Sequence, residues 1–221
     1  MALTTGNALI PMPDQQHITL TSLTSGVYGY HDGPAAQALF KLPWGIAVLL
    51  SGSVLVVDHY NHCIRMISAD GKEVSTVAGT VQYGHQDGPA AQARFHYPAA
   101  VVVLSDGRIL VADGHNHRIR VISADLQQVT TVAGAGTRGY RDGAAAQATF
   151  YYPCGLAVLP DGRVLVSQSH CIRVLSADLQ EVTTVAGTGE AGHHDGAGVQ
   201  ARFAVPTGML VLPDNRVLVA D

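Results

Sequence analysis

The stretch from Asp87 to Pro98 reads Asp-Gly-Pro-Ala-Ala-Gln-Ala-Arg-Phe-His-Tyr-Pro, and it is one of four copies. The others run from Asp32 to Pro43, Asp142 to Pro153 and Asp195 to Pro206, at spacings of 55, 55 and 53 residues. All four obey Asp-Gly-x-x-x-Gln-Ala-x-Phe-x-x-Pro. Self-similarity at a fixed spacing of this size is the mark of a repeat architecture. The repeats divide at about residues 29–83, 84–138, 139–191 and a partial 192–221, after a segment 1–16 without clear pattern.

Outward from this stretch, each repeat reads as four short strands. Gly45 to Leu50, Ala99 to Leu104, Gly155 to Leu159 and Gly208 to Leu212 follow the proline. Next come turns such as Asp106-Gly107 and Asp161-Gly162, a pairing that predicts tight type I′ hairpins. Second strands (Val54 to Val57, Ile109 to Ala112) and third strands (Cys63 to Ile67, Arg118 to Ile122, Cys171 to Leu175) follow. Ser-Ala-Asp then turns the chain into a fourth strand, Val74 to Ala78 and its equivalents. His17 to Leu23 alternates and matches this fourth strand. In the linking stretch, Ala-Ala-Gln-Ala predicts one helical turn capped by the preceding Asp, and the Phe predicts a plug against the core.

Strands such as Ala99 to Leu104 are apolar on both faces, so both faces are covered. Blades sandwiched between neighbours meet that demand, and four strands per repeat of about 40–55 residues is the propeller pattern. The fold class is all-β: a β-propeller of four-stranded antiparallel blades, about three complete and one partial. The chain stops after two strands of its fourth repeat. Either a four-bladed ring closes through the two termini, with residues 2–10 as a poor third strand, or the chain is an arc of a larger ring. The arc is the preferred reading; it predicts open blade edges and self-association.

Asp58-His59-Tyr60-Asn61-His62-Cys63-Ile64-Arg65 and Asp113-Gly114-His115-Asn116-His117-Arg118-Ile119-Arg120 resemble NHL repeats, whose usual form at this turn is Asp-x-x-Asn-His-x-Ile-Arg. The resemblance covers residues 17–221. It assigns a structural turn role to Asp58, Asn61, His62, Arg65, Asp113, Asn116, His117, Arg120 and Arg173. The third repeat departs from the pattern: Ser167-Gln168-Ser169-His170-Cys171 lacks the Asp, the Asn and two residues of loop. The resemblance implies a six-bladed ring more often than a four-bladed one.

With 221 residues and a net charge of −4, the chain can bury one sizeable core. No apolar run reaches the roughly 18 residues of a membrane helix, and residues 1–16 do not read as a secretory signal. Three cysteines, Cys63, Cys154 and Cys171, argue against a disulfide framework and for inert thiols in a cytoplasmic protein. Two lysines and eleven arginines against 17 carboxylates argue against nucleic acid. No phosphate loop or nucleophile elbow is present.

Most carboxylates recur once per repeat, which is the habit of turn and cap residues. Eleven histidines, among them His115-x-His117, invite a metal reading, but no third ligand accompanies the pair. Arg65, Arg120 and Arg173 predict ion pairs with a turn carboxylate of their own or the next blade, as struts between blades. No cofactor and no catalytic or metal residue is assigned. The expected function is a non-catalytic scaffold that binds a protein partner through face loops. Candidate contacts are Tyr28, Tyr30, Tyr83, His85, Arg138, Tyr140, His193 and His194. The alternative is a metal-dependent propeller lyase or hydrolase with a central-channel site.

Overall fold

The computed structural model describes residues 26–221, Thr24 and two short strands, Leu9–Pro11 and His17–Thr19, which pair antiparallel. The strand expected at His17 to Leu23 is seen over its first three residues; 20–23, like 1–8, lie outside the described residues.

Three blades follow, each a meander. Blade 1 runs Pro43–Val48, Val54–Asp58, Cys63–Ile67 and Glu73–Ala78. Blade 2 runs Pro98–Val103, Ile109–Asp113, Arg118–Ile122 and Gln128–Ala133. Blade 3 runs Gly155–Val158, Val164–Gln168, Cys171–Leu175 and Glu181–Ala186. Met209–Val211 and Val217–Val219 form a partial fourth blade. Each complete blade has a fifth, two-residue strand that the pattern did not announce. Gly33–Pro34, Gly88–Pro89 and Gly143–Ala144, from the linking stretch, pair along the outer fourth strand. The linker therefore caps the edge of its own blade and removes an unpaired strand.

Blades pack face to face as their apolar strands require. Leu55, Val57 and Ile64 of blade 1 cluster with Val101, Ile109 and Val111 of blade 2. The other face of blade 2, with Leu110 and Ile119, meets Leu156, Val164 and Val166 of blade 3. Ala157, Leu165 and Ile172 then meet Met209, Val217 and Val219. Phe95 and Phe150 are fully buried plugs, each contributing about 1.5–3 kcal/mol by removal from water. The innermost strands of consecutive blades lie side by side. A Cβ on Gly155 would overlap the Thr207 carbonyl oxygen, so the axis is crowded at this position of the first strand.

Two faces stay open. Ile46 and Val48 of blade 1 are 70% and 64% exposed, and Leu210 and Leu218 of the fourth blade 59% and 54%. Their equivalents in blades 2 and 3, Val101 and Leu165, are buried between neighbours. Among the described residues the blades form an arc with an apolar face at each end.

Two local expectations are corrected. The Asp-Gly hairpins are not type I′: only the glycine has positive φ (+85° at Gly107), and Leu104 bonds both Gly107 and Arg108. This is a three-residue loop, a type I turn closed by a glycine bulge. Asp106 stays right-handed because its carboxylate accepts the Arg108 amide at 3.0 Å. Nor does the linker Asp cap the following turn. The helical turn Ala35–Gln37 has no side-chain cap, because Asp32 is engaged elsewhere.

Candidate functional site

The second strand of blade 1 ends at Asp58, and a single 3₁₀ turn, His59–Asn61, reverses the chain. His62 closes the turn in the left-handed region at φ +57°. Asp58 holds this turn together. Its Oδ1 accepts the Lys41 amide at 2.8 Å, and its Oδ2 accepts Asn61 Nδ2 at 2.8 Å and Arg65 Nη1 at 2.9 Å. Arg65 is fully buried and reaches on to Asp32 Oδ1 at 2.6 Å. Asp32 Oδ2 in turn accepts the Thr76 amide of the fourth strand. A register shift between Ile64 and Arg65 turns the guanidinium toward these partners.

Blade 2 repeats the arrangement with Asp113, Asn116, Arg120 and Asp87. The arginine pairs with the turn carboxylate of its own blade, one of the two partners expected, and ties linker to turn within that blade rather than acting as a strut between neighbours. The reason is that Asp32 and Asp87 lie on the linker capping that same blade. Burial pushes the Asp113 carboxyl up to about 6, while Arg120, Asn116 and the His96 amide pull it down, so it is ionised at neutral pH. In blade 3, Gln168 stands where the Asp should be. It accepts the Tyr151 amide and donates to Cys171 Sγ, leaving Arg173 with Asp142 as its sole ion-pair partner among the described residues.

The turn histidines make bonds between blades. His62 Nδ1 accepts the Tyr97 amide at 3.2 Å, and His59 Nδ1 donates to the Pro98 carbonyl at 2.8 Å. Two imidazoles in opposite tautomers thus grip adjacent backbone groups of the next blade. His117 Nδ1 does the same for the Tyr152 amide. In the shortened third turn the Val205 amide bonds the Ser169 carbonyl instead, and His170 Nδ1 has no hydrogen-bond partner among the described residues. The gripped Tyr97, Tyr152 and Val205, and Leu42 at the same repeat position, stand just before the repeat's proline and all have φ between +50° and +68°. Left-handed backbone is uncommon outside glycine, and in blades 2 and 3 the residues that adopt it, Tyr97 and Tyr152, bring their rings against His115.

The outcome is a run of rings across the upper end of blades 1 to 3, the end that bears the Asn-His turns. Trp44 stacks on His59 at 3.9 Å and 9°. His59 meets Tyr60 and Tyr97 at 5.3 and 5.1 Å. Tyr97 meets His96 and His115, and His115 meets Tyr152 at 5.0 Å. Tyr83 adds an outer ring on His96 at 4.9 Å, and Arg138 lies 3.8 Å over Tyr151. Burial, with neighbouring imidazoles at all but His115, holds these histidines below their usual range, His62 at about 4, so the imidazoles of the band are neutral at neutral pH.

Below the band, the innermost strands enclose a cleft of about 500 Å³ lined by Trp44, Gly45, Ala99, Ala100, Cys154, Gly155 and Thr207 among others. Burial pushes the Cys154 thiol up, as it does Cys63 and Cys171. Among the described residues no group of three or more His, Cys, Asp or Glu side chains is placed to hold a metal ion. None of the described helices is long and apolar enough to cross a membrane.

Of the contact residues expected from sequence, the fold brings Tyr83, Arg138 and Tyr140 to the band; Tyr140 meets Tyr151 at 6.0 Å. Tyr28 is 70% exposed on the first linker. Tyr30 and His85 face the fourth strand of their own blades, bonding Thr76 and Thr131. His193 and His194 line a separate hollow beside Arg202. Sequence reasoning missed Trp44, Tyr60, His96, Tyr97 and Tyr152. The available signal was the aromatic residue just before Pro98 and Pro153, at the same repeat position.

Charge is segregated along the blade axis. The lower turns of blades 1 to 3 carry Asp70, Glu73, Asp106, Asp125, Asp161, Asp178 and Glu181 against Lys72, Arg108 and Arg163. At the upper end Asp32, Asp58, Asp87, Asp113 and Asp142 all bond the buried arginines.

The NHL repeat family matches residues 40–65 and 95–122, the segments that build both complete Asp-Asn-Arg turns. The chain carries NHL repeats in these two segments. NHL repeat-containing protein 2 of Gallus gallus is 37% identical over 116 residues, covering 52% of this chain and 15% of that protein. Protein SUPPRESSOR OF QUENCHING 1, chloroplastic, of Arabidopsis thaliana is 36% identical over 95 residues, covering 43% and 9%. This NHL-repeat chain thus spans between 9% and 23% of the curated relatives it matches. Among solved structures, an auxiliary nutrient binding protein from Bacteroides thetaiotaomicron superposes with a TM-score of 0.60 at 18% identity, over 80% of this chain and 44% of that one. Virginiamycin B lyase from Staphylococcus aureus does so with 0.56 at 15%, over 85% and 51%. At such identities the likeness is one of fold.

Proposed function

We propose that this NHL-repeat arc is a non-catalytic scaffold that takes a protein partner on the upper face of blades 1 to 3. The observation that carries the reading is the ring band, in which Trp44, Tyr60 and Tyr83 are 52%, 41% and 67% exposed. Such rings offer large contact area for little lost side-chain freedom, and Trp and Tyr are enriched among residues that dominate binding. The cleft beneath supports the same reading. Among its lining residues the titratable side chain is Cys154, a thiol that burial keeps protonated. General acid–base work needs groups poised near the working pH. Three buried free thiols suit a reducing compartment such as the cytoplasm.

The test is selection of a phage-displayed peptide library on the 221-residue chain. The selected peptides should converge on a shared pattern. Their affinity should fall at least about tenfold in the Trp44→Ala, Tyr83→Ala double variant, with an unchanged melting curve. Binding indifferent to both rings, or turnover of a lactone or streptogramin substrate, would overturn the reading.

A further inference from the structure

We infer that the upper face selects an acidic, extended peptide segment; this rests on the scaffold reading and adds the chemistry of the partner. The five carboxylates at this end of blades 1 to 3 all bond the three buried arginines, which leaves two negative charges for further cations to outweigh. Five cations of these blades and their linkers are left to do so: Lys41 enters blade 1, Arg94 lies on the linker entering blade 2, Arg118 opens the third strand of blade 2, and Arg138 and Arg141 lie on the linker entering blade 3. None forms an ion pair among the described residues. Arg118 donates only to the Asn116 and Ala135 carbonyls, and Lys41 and Arg138 lie over the Tyr60 and Tyr151 rings. Cations interleaved with rings along one face fit a strand of alternating carboxylate and apolar or aromatic side chains. Carboxylates would meet the cations while the other residues stack on the rings. The opposite end of the same blades is acidic and repels such a segment, so the charge pattern also chooses the face.

The experiment uses a fluorescent peptide of alternating Glu and Tyr, its Lys-for-Glu counterpart and labelled poly(U), each titrated into the intact chain. The Glu peptide should bind, weakening severalfold between 50 and 300 mM salt as the shortening Debye length screens the charge contacts. The Lys peptide should not bind. Reversing the charges with Lys41→Glu and Arg138→Glu should cost the Glu peptide at least tenfold and admit the Lys peptide, while Arg108→Glu at the lower end changes nothing. Preference for the Lys peptide, or indifference to the reversal, would overturn the inference. Tighter poly(U) binding lost on the same reversal would also overturn it, in favour of nucleic acid. Neutral peptides that converge in the library and depend on Trp44 and Tyr83 would remove the acidic assignment yet leave the scaffold standing.

Discussion

His62 Nδ1 accepts the backbone N–H of Tyr97, 35 residues away in the next blade. That bond makes the family's histidine an inter-blade clasp rather than a loop ornament. It also makes the residue's charge state structural, because only the neutral imidazole has a ring nitrogen free to accept.

Acid should therefore open the clasp. The folded-state pKa of His62 is depressed to about 4 by burial and by the nearby His96, His59 and Lys41, against about 6.5 in an unfolded chain. Between those values the unfolded state binds more protons, so this stabilisation is complete above about pH 6.5 and is lost as pH falls to about 4. The melting-temperature gap between wild type and His62→Ala should shrink steadily over that window. A gap that stays constant from pH 7 to pH 4 would show that the imidazole is not an obligate acceptor.

Asp113 and Gln168 occupy the same position in blades 2 and 3 but hold different loads. Asp113→Ala strips a fully buried guanidinium of one of its two carboxylates, which should cost about 3–5 kcal/mol. Gln168→Ala removes only neutral hydrogen bonds, at about 1 kcal/mol each. Urea unfolding of the two variants compares them directly. Equal losses would mean that the Asp-Arg pair is not what secures blade 2.

Gly155→Ala should loosen the fourth blade. The added methyl meets the Thr207 backbone, which cannot rotate away, and overpacking of this kind costs about 1–3 kcal/mol. Limited proteolysis should cut after blade 3 sooner in the variant. An unchanged cleavage rate would place more room at the axis than the geometry shows.

The open faces at Ile46 and Val48 and at Leu210 and Leu218 should drive association. One is the kind of face that, within the chain, always packs against the other kind. Light scattering should show a mass above 23.1 kDa that rises with concentration. Ile46→Lys with Leu218→Glu should return the monomer without lowering the melting temperature. A monomer at all concentrations in the wild type would show that something within the chain covers these faces.

Much of the fold could be read from residue order, because a repeat shows each strand and turn several times over. The blade count and the buried phenylalanines follow from local pattern plus the need to cover two apolar faces. Misjudged details came where two local rules competed. Asp32 could cap a turn or meet an arginine, and the buried guanidinium's need for a carboxylate prevailed. At Asp106 the amide of Arg108 kept the residue right-handed, so the positive φ fell to Gly107 alone.

The site was far less legible. Tyr83 and Arg138 could be picked out as aromatic or cationic residues of variable linkers. That Trp44, Tyr97 and Tyr152 join them could not, since these residues come from different repeats and meet only across blade boundaries. The sequence by itself determined the repeat, the blades and the residues able to form each turn, all matters of spacing and side-chain chemistry. The tertiary structure alone decided which rings stack, which blade each histidine grips and which faces stay open. Those depend on how one blade sits against the next, a relation between residues about 55 apart that no local pattern encodes.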